Sequence, residues 1–151
     1  MVQMRPVALT RKSLLRLVAA LDAHPRLRWT ATLLWGAAIF WLSSQSRPLG
    51  RRWPALPSAL AHVFEFGVLA ALLHRILSAG PARHRRPAAL AFLLTALYAA
   101  SDEAHQALVP ERIASPAEYG LDLLGASLGL AVSRRRIPLP VRRARLREEE
   151  E

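Results

Sequence analysis

Asp102, Glu103, His105 and Gln106 crowd into five positions, followed by Pro110 and Arg112. They close a stretch, residues 88–101, that carries no charge at all. Two further pairs, His62 with Glu65 and Glu118 with Asp122, interrupt other apolar runs. A carboxylate beside a histidine is the ordinary equipment of general acid–base work, and His62, Glu65, Asp102, Glu103 and His105 are also types that ligate divalent ions. Arg112 adds a guanidinium fork that suits a phosphate or carboxylate. These nine residues, His62, Glu65, Asp102, Glu103, His105, Gln106, Arg112, Glu118 and Asp122, form the candidate site. Specific catalytic signals are missing: there is no Cys, no H-E-x-x-H and no glycine-rich phosphate loop. Residue types alone fix neither a catalytic residue, a cofactor nor a metal.

Such groups need elements to position them. Residues 29–46 are uncharged, 53–73 are broken only by His62 and Glu65, and 117–133 only by Glu118 and Asp122. Each run is close to the roughly 20 residues that cross a bilayer. The expected fold is all-α, an integral membrane bundle of about four helices near 28–45, 58–78, 87–109 and 117–133. A soluble bundle would need a polar residue every three or four positions on its outer face, which the first and third runs lack. The chain of 151 residues has a formal net charge of +10, gathered in blocks between the apolar runs. With both termini cytoplasmic, seventeen of the 21 Lys and Arg lie inside and four outside, which is the arrangement the positive-inside rule favours. Basic blocks beside membrane spans already account for the charge, so no nucleic-acid partner is expected.

This topology sends the polar residues of every helix towards the outer interface. His62/Glu65 (i, i+3), Asp102/Gln106 (i, i+4) and Glu118/Asp122 (i, i+4) each share a helix face. Asp122, Gly125 and Gly129 form one stripe, and Gly125-x-x-x-Gly129 permits close helix approach. Asp122 is therefore expected to point into the bundle, where a charge avoids lipid.

The phrase Asp102-Glu103-x-His105-Gln106-x-x-x-Pro110-x-Arg112 resembles the signature of VanZ-like membrane proteins, a family named for a teicoplanin-resistance protein. His62-x-x-Glu65 resembles the family's second-helix pattern, and Glu118, Asp122, Gly125 and Gly129 resemble its last helix. Glu111 stands where the family usually has Gly, and Glu118 where it has Asp. The resemblance covers roughly residues 29–133 and implies a cell-membrane protein that binds an extracytoplasmic envelope ligand or affects glycopeptide susceptibility. A lipid-linked cell-wall precursor or a glycopeptide would be the partner, besides the lipid bilayer itself. Two alternatives stay open: a membrane-embedded enzyme acting on a lipid-linked substrate through a carboxylate/His site, with or without a metal, and a polar network that only pins the helices.

Three regions follow. Residues 1–27 form a basic segment in which Leu14, Leu17, Val18 and Leu21 suggest an amphipathic helix on the inner leaflet. Residues 28–133 form the membrane domain. Residues 134–151, rich in charge and proline, form a tail expected to be disordered.

Overall fold

Proline marks three helix starts. It lacks the N–H that a first helical turn cannot use, and its φ is already helical. Pro25 opens α1 (Pro25–Ser43), Pro87 opens α3 (Pro87–Gln106) and Pro116 opens α4 (Pro116–Arg134). The remaining helix, α2, runs Ala55–Leu77. The computed structural model describes residues 13, 19–20, 23–46, 55–79, 84–110, 112 and 114–134, and among these there is no strand. The all-α expectation therefore holds, with four helices close to their expected places. Of the N-terminal amphipathic segment, only Ser13, Ala19, Ala20 and Ala23 are described, all with helical backbone. Its other residues and the tail beyond Arg134 lie outside the described residues.

One boundary differs usefully. The third helix was expected to reach 109 but stops at Gln106. Beyond it the backbone tightens into i→i+3 bonds, Leu108 N to His105 O (2.9 Å) and Val109 N to Gln106 O (3.0 Å). Pro110 has no N–H with which to continue the helix. The turn doubles the chain back, so Arg112 returns to the helix it has just left.

α2 is central, packing on α4 most extensively and also on α3 and α1. The α2–α4 seam is close because it is made of glycine. A Cβ built on Gly125 would lie 2.8 Å from Val63 Cα, and one on Gly129 would lie 2.8 Å from Gly67 Cα. Neither separation is tolerated by a real side chain, so the expected glycine stripe is a backbone-to-backbone contact. Small residues continue the theme: Ala70, Ala88, Ala91 and Ala126 pack with Leu130, and Ile39, Phe66, Leu69 and Ala99 form a second cluster.

Large apolar side chains lie mostly on the outside instead. Leu33 and Leu34 are each 67% exposed, Trp41 63% and Val132 65%. Polar groups are inside, among them Thr32, Thr95, Asp102, Gln106 and Asp122. The two threonines bond back to carbonyls four residues earlier, Arg28 O and Ala91 O, at 2.8 Å. Among the described residues, one stretch, Ser58–Leu77 within α2, is by length and composition apolar enough to cross a membrane. Four spans were expected on hydropathy. α3 ends in its polar cluster, and α4 carries Glu118, Asp122, Arg134 and three glycines, which dilute the apolar character of those two helices.

Candidate functional site

The start of α2, the end of α3 and the start of α4 meet at one end of the bundle, and each delivers polar side chains there. The glycine seam sets the register of α2 against α4. Because Gly125 rests on Val63, the residue before Val63 and the residue one turn before Gly125 are brought level. His62 Nδ1 accordingly lies 2.9 Å from Asp122 Oδ1, a contact the carboxylate accepts. The other ring nitrogen, Nε2, is 3.9 Å from Glu118 Oε2. The i, i+4 spacing of Glu118 and Asp122 thus places a carboxylate on either side of one imidazole.

A second chain of contacts crosses from α3 to α1. Gln106 Nε2 donates to Asp102 Oδ2 (2.8 Å), as their i, i+4 spacing allows. Gln106 Oε1 accepts from Arg112 Nη1 (2.7 Å), and Arg112 Nε donates to Gln45 O (3.2 Å) just past α1. Arg112 therefore clips the turn after α3 to the end of α1. Glu103 reaches forward instead: its Oε2 accepts from Ser115 N at 2.7 Å. Ser115 Oγ in turn accepts weakly from Glu118 N (3.4 Å).

Three carboxylates share one pattern. Asp102, Glu103 and Asp122 each spend one oxygen on a protein donor. Each leaves the other, Asp102 Oδ1, Glu103 Oε1 and Asp122 Oδ2, buried with no partner. The side chains are 5%, 9% and 1% exposed. Asp122 lies within electrostatic reach of Asp102 and Glu103, and Glu65 within reach of His62, Asp102, Asp122 and Arg112. An unpartnered buried acceptor costs roughly 1–3 kcal/mol, more if charged, so three together hold open a demand for donors.

Seven of the nine candidate residues therefore join these contacts, and Glu65 lies within electrostatic reach of four of them. His105 does not join them. Its ring packs on Phe40 with centroids 4.5 Å apart, and its Nε2 lies 3.0 Å from Ser44 Oγ. Ser44 already donates to Phe40 O (2.7 Å), so the histidine is the donor and serves to pack α3 on α1. The metal-ligating set that included His105 is also not assembled. Among the described residues no three of His, Asp and Glu are placed to hold a metal ion.

Sequence reasoning missed Ser115 and Trp35. Ser115-x-x-Glu118 is a readable capping signal, and it marks the α4 start that Glu103 binds. Trp35 donates its Nε1 to Glu65 O at 2.9 Å, locking α1 to α2 at site level. No spacing rule pointed to that contact.

The family model described as VanZ/LLP1 matches residues 58–137. The match includes α2 from Ser58 onward, all of α3 and α4, and every candidate residue. No curated protein and no solved structure matches the chain.

Proposed function

The chain belongs to the VanZ/LLP1 family, and on that premise we propose a multi-pass membrane protein whose polar end binds an extracytoplasmic envelope ligand. All four helices cross the bilayer, both termini are cytoplasmic, and the site lies at the outer leaflet. The ligand is a lipid-linked cell-wall precursor or a glycopeptide, and its capture alters susceptibility to glycopeptide antibiotics such as teicoplanin.

Several features support the membrane reading. The helices have 19, 23, 20 and 19 residues, about 28–35 Å at 1.5 Å per residue, against a hydrocarbon core of about 30 Å. Leucine and tryptophan outside with carboxylates inside is the reverse of a water-soluble bundle. Close seams of Gly and Ala are what join helices where lipid removes the hydrophobic drive. The distribution of Arg supports the orientation.

The observation that carries ligand binding is the trio of buried carboxylate oxygens without partners. A network built only to join helices would spend both oxygens. A second reading, helix pinning, is favoured by the bonds that run from Asp102 through Gln106 and Arg112 to Gln45 O, joining α3 and its turn to the end of α1. Abundance and antibiotic susceptibility measured together separate the two in a host expressing Asp102→Asn, Glu103→Gln or Arg112→Ala. Ligand binding requires that the effect on susceptibility is lost while the protein stays at normal abundance. Loss of protein in step with loss of effect would refute it.

A further inference from the structure

Opposite the carboxylates, hydrogen bonds bring the ends of all four helices to one level. Arg28 Nη1, in the first turn of α1, donates to Arg75 O near the end of α2 (3.3 Å). His74 Nδ1 lies 2.9 Å from Ser133 Oγ, and that hydroxyl donates to Ala71 O (3.5 Å), which joins α2 to the end of α4. His84 N donates to Leu77 O (3.2 Å), drawing the residues that enter α3 against the last turn of α2. Ala88, in the first turn of α3, belongs to the same apolar cluster as Leu77 and Leu130.

This end carries cations without anions. Arg26, Arg85, Arg86 and Arg134 are exposed on it. The described acids, Glu65, Asp102, Glu103, Glu118 and Asp122, all lie towards the other end, so among the described residues none offsets these charges. Exposed apolar side chains begin close behind the arginines on three helices: Trp29 and Leu33 on α1, Leu93 on α3, and Val132 and Leu128 on α4. A water-borne acidic partner would answer the charge and leave that apolar band bare. A phospholipid presents both parts in the same order, an anionic head and then acyl chains.

We propose that the arginine end of the bundle binds anionic phospholipid in preference to zwitterionic lipid, through Arg85, Arg86 and Arg134. Their guanidinium groups take the phosphodiester heads, and the exposed Trp29, Leu93 and Val132 lie against the acyl chains. Arg85 and Arg86 lead into α3 and Arg134 ends α4, so the lipid covers the end where the bundle has no acid of its own among the described residues. Such binding requires a membrane-spanning chain but neither an outer ligand nor a particular orientation, since mixed lipid surrounds both ends.

The test is the lipid retained by the full-length chain purified from detergent containing equal parts of phosphatidylglycerol and phosphatidylcholine. Phosphatidylglycerol should exceed phosphatidylcholine roughly fivefold, the ratio equivalent to about 1 kcal/mol, the worth of one cation near an anionic surface. Arg85→Gln, Arg86→Gln and Arg134→Gln together should bring the two lipids to parity. In phosphatidylcholine alone the same variant should melt within about 3 °C of the parent, since exposed substitutions cost little. Arg47→Gln, Arg51→Gln and Arg52→Gln, in the segment that joins α1 to α2 at the carboxylate end, make the same change of charge. That control should keep the parent's preference. Equal retention of both lipids by the parent overturns the proposal, as does a preference that falls as far with the control as with the arginine-end variant. Binding of a soluble RNA or an acidic peptide in phosphatidylcholine, with no preference between the lipids, assigns this end to a water-borne partner and overturns it too. A chain that stays soluble without detergent or lipid overturns the membrane reading, and the lipid surface with it.

Discussion

The two ends of the bundle bury different kinds of polar group. At the end opposite the carboxylates, Arg28 is 8% exposed, and its Nη1 donates to Arg75 O (3.3 Å) between α1 and α2. His74 Nδ1 meets Ser133 Oγ at 2.9 Å, joining α2 to α4. Arg85, Arg86 and Arg134 lie exposed around them. These contacts are local closures between helices. At the carboxylate end, three of the buried acids keep an oxygen in reserve. Among the described residues, the opposite end leaves one buried hydroxyl, Ser78 Oγ, without a partner, but no buried carboxylate oxygen.

The largest expected effect tests whether the two ends face different compartments. The chain has no cysteine, so single cysteines report position cleanly. Ser46→Cys and Ala114→Cys, at the carboxylate end, should react with a membrane-impermeant thiol reagent in intact cells. Arg85→Cys should react only after lysis. The opposite pattern would invert the proposed orientation.

Next in size is the seam that holds both ends in register. Gly129→Ala gains up to about 1 kcal/mol of helix propensity. It also forces a methyl into Gly67, and overpacking of this kind costs about 1–3 kcal/mol or more. Overpacking should win, lowering the detergent melting midpoint clearly and weakening both the His62–Asp122 and His74–Ser133 contacts. An unchanged midpoint would mean that the helices do not approach as closely as the glycines allow.

At the closed end, His74→Ala should cost about 1 kcal/mol, the ordinary worth of one hydrogen bond, and leave antibiotic susceptibility as in the parent. Glu103→Gln at the open end should show the converse, a midpoint within about 1 kcal/mol of the parent and a lost cellular effect. Equal behaviour of these two variants would erase the distinction between the ends. The smallest effect belongs to Arg134→Ala, exposed at the end of α4. It should fall within about 0.5 kcal/mol of the parent, as surface substitutions usually do.

Composition and spacing were sufficient for the helices, since apolar runs bounded by prolines and arginine blocks have few other ways to fold. They also indicated which residues would meet: Asp102 with Gln106, Glu118 with Asp122, and a glycine stripe on α4 all follow from the period of a single helix. The resemblance carried by the third-helix phrase agrees with the family match over residues 58–137. Contacts between helices were decided elsewhere. His105 is of the right type and sits within the motif, yet it turns to Phe40 and Ser44 because of its angle on α3 relative to α1. Arg112 returns to Gln106 only because the helix stops three residues earlier than its apolar run does. The His62–Asp122 contact depends on how closely α2 and α4 stand, and that distance is set by Gly125 and Gly129 against the backbone of α2. A one-dimensional period fixes a residue's direction about its own helix axis, but the partner at the end of that direction is a property of the packed bundle.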